Sequence, residues 1–491
     1  KSKFILPKNM QLNKILKGLE VLDISDSIST EIGDVTLDSR KCSVGSLFIA
    51  TVGSKSDGHD YIGSAIEAGA SAVIYQEGKY SDGKATYIKV SDSRKAAGLA
   101  AYNFYGNPSS KFNLIGVTGT NGKTTTATLL YHLFTSLGYY CGLISTIANY
   151  IGEEKFETEY TTPDAIALNK LMALMAERGC EYCFMEVSSH ALDQERVYGL
   201  QFRGAILSNL THDHLDYHNT FLEYLHSKKR LFDNLPKKAF ALINIDDKNG
   251  EVMVQNCQAT IKRYSCRTLA DFNCKIVEES LEGMMLAIGN NHFWTQFIGA
   301  HNAYNLLAVY ATAILLGADK DEVLVKMSLL KAVAGRLEYI RGGNEITAVV
   351  DYAHTPDALE NVLKTLRSTA RDRQLICVFG CGGNRDKSKR PEMGVIATKY
   401  ADKVIVTSDN PRFEDPDAII NDIRNGLNAA GKAKSLFITN RKEAIRTAIM
   451  MANKGAVILV AGKGHENYQI VGGEKHHFDD KEIISETFEQ L

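Results

Sequence analysis

Apolar runs of strand length alternate with amphipathic segments over most of the chain, and this alternation predicts the fold class. It begins at about Phe112, and a second region of the same kind runs from Ile346 to the end. Strands that alternate with helices are typical of βαβ units and parallel sheets. Before residue 112 the segments are shorter and are separated by Gly and Asp, with one predicted helix at 61–70. We therefore predict an α/β protein with mostly parallel sheets.

The length of the chain predicts more than one domain. A chain of 491 residues is too long for a single hydrophobic core, and the usual domain size suggests about three domains. Changes in the pattern place hinges near residues 111 and 334. We expect a smaller N-terminal α/β domain at 1–111, a central domain at 112–334 and a C-terminal α/β domain at 335–491.

Charge and composition narrow the classes of partner. The formal net charge is −2, so no general attraction to nucleic acid or to anionic membranes is expected. No apolar run approaches the roughly 20 residues that span a bilayer, and the start of the chain has too short an apolar core for a signal peptide. Nine cysteines without a secretion signal favour reduced thiols. We expect a cytoplasmic protein that acts as a monomer on small molecules.

The stretch 114–126, LIGVTGTNGKTTT, is typical of a phosphate cradle formed by a strand, a tight loop and a helix. Glycines let backbone N–H groups approach phosphate oxygens, and a helix N-terminus adds partial positive charge. Lys123 is placed to reach the β- and γ-phosphates, and the Thr124 hydroxyl is placed to bind Mg²⁺. The generic pattern has glycine where this chain has Val117. A glycine-rich linker therefore remains the alternative.

Polar clusters follow two predicted strands of the central region. One strand leads to Glu186, Ser188 and His190, and the strand predicted at 205–210 leads to the His-rich turn 211–218. Ligands of open α/β sheets bind at the carboxyl ends of the strands. Because a nucleotide loop predicts a hard cation with oxygen ligands, we do not expect zinc at the His-rich turn.

Polar loops also follow the four predicted strands of the C-terminal region. Loops after the carboxyl ends of parallel strands form one rim of the sheet, so we expect these loops to face one site. They are residues 351–357, 380–394, 407–412 and 461–469.

Six motifs occur along the chain in the order GTNGKTT, EVSSHAL, DHLDYH, HNAYN, GRLE and DYAHTPD. Together they closely resemble the Mur ligases of bacterial peptidoglycan synthesis, and most nearly the members that add the third residue of the stem peptide. The resemblance implies an N-terminal domain that holds the UDP of a sugar nucleotide. It further implies a central P-loop ATPase and a Rossmann-like C-terminal domain that binds the amino acid.

The resemblance also implies roles for individual residues in ATP binding and catalysis. Asn302, Arg336 and Asp351 resemble the residues that hold adenine, the γ-phosphate and ribose. Catalytic roles are implied for Lys123, Lys228, His190 and Arg336. The implied ATP site consists of Gly119, Thr120, Asn121, Gly122, Lys123, Thr124, Thr125, Asn302, Arg336 and Asp351.

Two Mg²⁺ ions and one modified lysine are implied as well. Thr124 and Glu186 resemble Mg²⁺ ligands, and His214 resembles a histidine that binds the second ion. Lys228, in the context K-x-x-L-F, resembles a lysine that is carboxylated by CO₂. An ammonium group repels Mg²⁺, whereas a carbamate is an anion with oxygen ligands.

The resemblance assigns two further groups of residues to the acceptor, UDP-N-acetylmuramoyl-dipeptide. Tyr160 departs from the pattern, because some relatives carry Asn at this position. The uridine end is assigned to Leu37, Ser39, Ser54, Lys55 and Ser56. The muramoyl-dipeptide end is assigned to Thr161, Thr162, Ser188, Gln194 and Arg196.

Seven residues of the C-terminal region resemble the signature of enzymes that add meso-diaminopimelate. This amino acid carries a second head group, whose carboxylate suits a bidentate Arg412 and whose ammonium suits Glu466. L-Lysine lacks the distal carboxylate, and a buried unpaired guanidinium would be costly. The residues are Arg385, Asp409, Asn410, Pro411, Arg412, Gly462 and Glu466.

The expected reaction is ATP-dependent amide formation. The γ-carboxylate of D-Glu attacks the γ-phosphate of ATP, and the diaminopimelate amine then displaces phosphate from the acyl phosphate. Charge neutralisation and positioning would supply most of the catalysis. The alternatives are a lysine-adding version of the ligase, another member such as folylpolyglutamate synthetase, and a regulatory P-loop protein without ligase chemistry.

Overall fold

The computed structural model describes residues 9–26, 28–53, 56–158, 160–213 and 215–490. In these ranges the chain forms three main sheets that follow one another along the sequence. Most neighbouring strands in them are parallel, which confirms the predicted α/β class. Three residues assigned above, Ser54, Lys55 and His214, lie outside the described residues.

The largest sheet in the described part of the chain has eleven strands, of which seven neighbouring ones are parallel. Antiparallel strands extend it at both edges. In spatial order the strands are Glu154–Phe156, Asn149–Ile151, Cys141–Ile144, Tyr182–Glu186, Asn113–Thr118, Gly204–Leu207, Phe240–Asn244, Thr260–Ser265, Phe272–Ser280, Gly283–Ile288 and Asn291–Thr295.

Helices cover both faces of this sheet, so its central strands are almost continuously apolar. Phe134 and Leu307 pack on one face, and Met172 and Phe232 pack on the other. The helices are Lys123–Ser136, Ala165–Glu177, Ser189–Asp193, Leu215–His218, Phe221–Asp233, Gly250–Met253, Ala300–Leu315 and Lys320–Ser328.

The C-terminal sheet has six strands within the described ranges, and all but the first edge strand run parallel. In spatial order they are Glu338–Arg341, Thr347–Asp351, Val457–Ala461, Leu375–Phe379, Lys403–Val406 and Ser435–Phe437. Two hydrophobic clusters fill the space between its faces and the helices. The helices are Pro356–Ala370, Lys389–Tyr400, Pro416–Asn425, Ala429–Ala433, Arg441–Met450 and Asp480–Glu489, and a hairpin pairs Tyr468–Val471 with Glu474–His477.

The N-terminal sheet is smaller, with five strands in the described part. One edge strand is antiparallel and the others are parallel. In spatial order the strands are Val21–Ile24, Thr86–Val90, Ala70–Tyr75, Ser46–Ile49 and Asp34–Thr36. The helices are Leu12–Ile15, Ile62–Glu67 and Ser93–Phe104, and a short ribbon pairs Met10–Gln11 with Glu31–Ile32.

Two predicted elements are shorter than expected. The helix predicted at 61–70 spans Ile62–Glu67, because Gly69 adopts a φ of +105° beside the Val44 backbone and ends it. The strand predicted at 205–210 ends at Leu207. The next residue, Ser208, instead donates its hydroxyl hydrogen to the Asn121 carbonyl at 2.6 Å and so becomes part of the phosphate loop's surroundings.

One fully buried ion pair ties the last two helices to the C-terminal sheet. The Arg441 guanidinium donates to both carboxylate oxygens of Asp480, at 2.8 and 2.7 Å, and neither side chain is exposed. It also donates to the Ala461 carbonyl at 3.0 Å, where the strand Val457–Ala461 ends. This arginine therefore fixes the point at which the chain enters the loop 461–469.

We expect Asp480→Asn to destabilise the protein by about 3–5 kcal/mol, because it leaves the Arg441 charge buried without a counterion. The control is Glu486→Gln. Glu486 lies on the same helix as Asp480 and forms an exposed ion pair with Lys442, so this substitution should lower the free energy of unfolding by less than about 1 kcal/mol. Urea denaturation followed by circular dichroism measures both. Equal effects of the two substitutions would contradict the role of the buried pair.

Candidate active site

The phosphate loop connects the strand Asn113–Thr118 to the helix Lys123–Ser136. Gly119 has a φ of +145° and Gly122 a φ of +84°. A Cβ atom at Gly119 would lie 2.0 Å from the Ser208 hydroxyl oxygen, and one at Gly122 would lie 2.5 Å from a side-chain oxygen of Asn305. Both positions therefore require glycine. Val117 lies inside the buried strand, which accounts for the mismatch with the generic pattern.

Two lysine side chains converge on one carbonyl group of this loop. Lys123 Nζ donates to the Gly119 carbonyl at 2.8 Å and to the Thr120 carbonyl at 2.7 Å. Lys228 Nζ donates to the same Gly119 oxygen at 2.8 Å. Burial lowers the pKa of both ammonium groups, that of Lys228 well below its usual value, and the Lys123 charge lowers it further. The charges of Glu186 and Asp213 oppose the lowering for Lys123, and that of Asp213 opposes it for Lys228.

Oxygen atoms suited to a hard cation lie beside these lysines. The Thr124 hydroxyl donates to Glu186 Oε2 at 2.9 Å, and the Thr146 backbone N–H donates to Glu186 Oε1 at 2.7 Å. Glu186 is fully buried. A hydroxyl and a carboxylate are ligands that Mg²⁺ prefers. Among the described residues no group of three or more His, Cys, Asp or Glu side chains is placed to hold a metal ion. The candidate ligands here are therefore one hydroxyl, of Thr124, and one carboxylate, of Glu186.

A cavity of about 280 Å³ adjoins the phosphate loop and lies between the central and C-terminal sheets. Arg336 Nε is buried there and has no hydrogen-bond partner among the described residues. Its guanidinium lies 4.8 Å from the Tyr352 ring centroid and donates weakly to the Thr124 hydroxyl at 3.4 Å. Of the residues assigned to ATP, this cavity is lined by Asn121, Gly122, Thr125, Asn302, Arg336 and Asp351.

Two further polar side chains of this cavity are held by backbone groups. Asp351 accepts the Leu337 and Ala353 backbone N–H groups, both at 2.8 Å. Burial raises the pKa of its carboxyl, which the Arg336 charge opposes. Asn302 donates to the Ile298 carbonyl at 2.9 Å and retains a second N–H for a ligand.

Sequence reasoning missed several residues of the same cavity. Asn121 donates to Asp357 Oδ2 at 2.7 Å, a contact between residues 236 positions apart. His301 also lines the cavity, and burial lowers its pKa to about 4, so its imidazole is neutral. The motif HNAYN contained a signal for His301, whereas nothing in the sequence pairs Asp357 with the phosphate loop.

A second cavity, of about 570 Å³, is lined by all four C-terminal loops, which confirms that they face one site. The central region contributes Thr161 and His190 to its wall. The His190 ring centroid lies 4.2 Å from that of Tyr217. Of the residues assigned to diaminopimelate, the lining includes Arg385, Asp409, Asn410, Arg412, Gly462 and Glu466. Pro411 lies between two of them but does not line the cavity.

Backbone conformation places the charged groups of this second cavity. Arg412 has a φ of +55°, and its guanidinium donates to the Gly383 carbonyl at 2.9 Å. Burial and then the neighbouring Arg385 charge lower the pKa of Arg412, so the two guanidinium groups together favour an anion. Glu466 accepts hydrogen bonds from Asn410 at 2.8 Å and from the Tyr352 hydroxyl at 3.3 Å. Sequence reasoning did not identify Tyr352.

The residues assigned to the muramoyl-dipeptide form one hydrogen-bonded network. Arg196 donates to the Thr162 carbonyl at 2.7 Å and to Gln194 Oε1 at 2.7 and 3.0 Å. The Ser188 backbone N–H donates to the Thr162 hydroxyl at 3.3 Å. The Thr161 hydroxyl accepts a hydrogen bond from the Thr146 hydroxyl at 3.0 Å. The Thr146 hydroxyl also donates to Glu186 Oε2. The network therefore joins this region to the candidate cation site.

The residues assigned to uridine are less closely grouped. Leu37 and Gln194 line a cavity of about 100 Å³ between the N-terminal and central regions. Ser39 lies in the short turn Ser39–Lys41, and of the described residues neither it nor Ser56 lines this cavity. The departure at Tyr160 is accommodated, since the Arg196 guanidinium lies 5.4 Å from its ring centroid.

No helix within the described ranges has both the length and the apolar character needed to cross a membrane.

Family models match most of the chain. They are "Mur ligase family, catalytic domain" at residues 31–105, "Mur ligase middle domain" at 117–313 and "Mur ligase, glutamate ligase domain" at 335–464.

Curated relatives are similar over nearly the whole length. A UDP-N-acetylmuramoyl-L-alanyl-D-glutamate--2,6-diaminopimelate ligase of Bacteroides fragilis is 54% identical and covers 98% of this chain and 99% of its own. A ligase of the same name from Clostridioides difficile is 44% identical and covers 98% and 100%.

Solved structures have a similar fold. One, of a UDP-N-acetylmuramoyl-L-alanyl-D-glutamate--2,6-diaminopimelate ligase, has a TM-score of 0.70 at 33% identity and covers 98% of this chain and 99% of its own. The MurF ligase of Thermotoga maritima in complex with ADP has a TM-score of 0.61 at 18% identity, with coverage of 93% and 97%. At that identity the similarity shows the fold alone.

Gly122→Ala should weaken nucleotide binding at least about tenfold, because its Cβ atom would displace Asn305 and widen the phosphate loop. Gly138→Ala is the matched control, since Gly138 also has positive φ but no heavy atom within 4 Å of the added Cβ. Calorimetric titration with ATP and Mg²⁺ measures both. If the two variants bind ATP equally well, the tight fit of the loop is not what forms the site.

Proposed function

The chain belongs to the Mur ligase family, and from this we propose that it joins meso-diaminopimelate to UDP-N-acetylmuramoyl-L-alanyl-D-glutamate in an ATP-dependent reaction. The observation that carries the proposal is the cavity lined by Arg385, Arg412, Asp409 and Glu466, whose wall also includes Thr161 and His190 of the central region. Its charges suit a head group that carries both a carboxylate and an ammonium. Full-length similarity to ligases of that name supports the same substrate.

We assign the three substrates to three regions. The acceptor's UDP would bind residues 1–111, ATP would bind 112–334 and the amino acid would bind 335–491. Two contacts join residues 112–334 to residues 335–491, one from Asn121 to Asp357 and one from Arg336 to Thr124. They support a reaction at the interface of these two regions. Closure of the regions would exclude water from a reactive acyl phosphate. The nucleotide substrates favour a cytoplasmic location.

The first chemical step is attack of the D-Glu γ-carboxylate on the γ-phosphorus of ATP, with ADP as the leaving group. A carboxylate alone is a poor electrophile, and phosphorylation gives it a leaving group. Lys123 and Arg336 carry the positive charge that this step needs, and the unpaired Arg336 Nε can donate to a phosphoryl oxygen. The amine of diaminopimelate then attacks the acyl carbon and phosphate leaves.

The Thr124 hydroxyl and the Glu186 carboxylate fit one Mg²⁺ ion and would hold it. The family resemblance assigns a second ion to a carboxylated Lys228 and to His214, which lies outside the described residues. When bound, the ions supply positive charge to the phosphoryl oxygens. His190 lines the amino-acid cavity and is proposed to orient the reacting groups.

Carboxylation of Lys228 is supported by its surroundings. The reaction joins the neutral amine to CO₂ and releases one proton, which gives an N-carboxylate. Because burial lowers the pKa of Lys228, the neutral amine is present at lower pH than for a lysine in water. The product also replaces one of two neighbouring positive charges, Lys123 and Lys228, by a negative one.

Incubation with UDP-N-acetylmuramoyl-L-alanyl-D-glutamate, ATP, Mg²⁺ and diaminopimelate should give one new amide, identified by mass spectrometry, and one phosphate per amide. The lysine-adding alternative predicts a preference for L-lysine. Folylpolyglutamate synthetase chemistry predicts no product from this acceptor. A regulatory P-loop protein predicts phosphate release that does not depend on the acceptor, and any of these three results would overturn the proposal.

Arg412→Ala should lower kcat/KM for diaminopimelate about 100-fold or more, because it removes a charged donor to the distal carboxylate. The KM for ATP should change little. Arg373→Ala, an exposed arginine at the other end of the six-stranded sheet, is the control and should leave the rate unchanged. An Arg412→Ala enzyme that keeps its preference for diaminopimelate over L-lysine would contradict this assignment.

Lys228 should take up ¹³C-bicarbonate near neutral pH and give a carbamate signal in the ¹³C NMR spectrum. Lys228→Ala should abolish the signal and most of the ligase activity. Lys229→Met is the control, since Lys229 is also buried but pairs with Asp233. A signal that survives Lys228→Ala would assign the carbamate to another residue.

A further inference from the structure

Lys463 is a fully buried lysine in the wall of the proposed amino-acid site. It follows Gly462, and its Nζ lies 3.2 Å from Glu466 Oε2 and 3.2 Å from Asn410 Oδ1. The ring centroid of Tyr468 lies 5.5 Å away. Lys463 does not line the cavity, whereas Glu466 and Asn410 do. It is therefore placed behind the residues that face the ligand.

The contacts of Lys463 fix the side-chain amide of Asn410. Asn410 Oδ1 accepts hydrogen bonds from Lys463 Nζ and from the Ile470 backbone N–H, which lies at 3.0 Å. Two donors on one side require the amide oxygen there and so direct Nδ2 towards Glu466 Oε2, at 2.8 Å. Without the ammonium group, one of these two donors is lost.

The same ammonium group favours the charged form of Glu466. Burial raises the pKa of the Glu466 carboxyl, and the negative charge of Asp409 raises it further. The Lys463 charge and the Asn410 hydrogen bond oppose both effects. With Oε2 occupied by Lys463 and Asn410, the oxygen left for a ligand is Oε1, whose one hydrogen-bond donor among the described residues is the Tyr352 hydroxyl, at 3.3 Å.

We propose that Lys463 is a positioning residue for the amino-acid substrate, which it does not touch, and that it holds Glu466 as a carboxylate with Oε1 directed at the ligand's ammonium group. The inference rests on the proposed function, because it concerns the binding of the same diamino acid. It assigns selectivity for the distal ammonium to a charge located one layer behind the cavity wall.

A double-mutant cycle with Lys463→Met and Glu466→Gln tests this proposal. Lys463→Met should raise KM for diaminopimelate between about 10-fold and 100-fold, the effect of losing one charged hydrogen bond. The KM for ATP should stay within about twofold, a split that a general loss of structure would not give. Because both residues act through one carboxylate, the double variant should lose no more kcat/KM for diaminopimelate than the worse single variant.

Three results would overturn the inference in an enzyme whose wild type ligates diaminopimelate. They are an unchanged KM in Lys463→Met, an equal rise in the KM for ATP, and losses that multiply in the double variant. If Lys463→Met does not fold, the double variant, which removes both charges, is compared with Glu466→Gln, and a further tenfold loss counts against Lys463. A wild type that ligates no diaminopimelate overturns the proposed function instead, so the two failures are distinct.

Discussion

Two lysine ammonium groups, Lys123 and Lys228, donate to the same Gly119 carbonyl oxygen, and this shared contact constrains the rest of the active site. Like charges this close repel each other, and burial removes the water that would screen them. One carbonyl dipole cannot compensate for two positive charges. The two ammonium groups are therefore stable together only when further anions lie close by, and the phosphates of ATP would supply them. Carboxylation of Lys228 would instead remove one of the two positive charges.

The phosphate loop alone does not complete this arrangement. Arg336, whose Nε has no partner in the described residues, reaches the Thr124 hydroxyl from beyond the central sheet, and Asp357 reaches Asn121 from the start of a C-terminal helix. Both contacts cross between regions that pack around separate hydrophobic cores. Movement of one region relative to the other would therefore remove charge from the cavity that adjoins the phosphate loop. This coupling provides a physical reason for a ligase to delay phosphoryl transfer until its regions close.

The sequence was informative wherever chemistry restricts the residue type. Gly119 and Gly122 could be identified because close backbone approach admits only glycine, and the four C-terminal loops could be grouped because parallel strands end at one edge. Burial of charged residues left no such signal. Nothing in the sequence distinguishes the buried Lys463 from the other lysines. The contact between Asn121 and Asp357 could not be predicted either, because it depends on how two sheets pack together. The roles assigned to individual site residues, and the boundaries near 111 and 334, stay predictions.

Charge balance in the proposed amino-acid cavity provides a basis for selecting a substrate. Glu466 is already paired with Lys463, so a ligand's ammonium at this position would meet a carboxylate whose charge is partly compensated. Burial and then the Arg385 charge lower the pKa of Arg412, whose guanidinium donates to the Gly383 carbonyl. An L-lysine side chain would bring a second cation and no anion to this surface. A zwitterionic head group brings both, and its carboxylate can offset the guanidinium charges while its ammonium reaches Glu466. With the proposed assignment, selectivity would follow from the desolvated cations that L-lysine leaves uncompensated, because the penalty for burying unpaired charge would exceed the gain from a single ammonium contact.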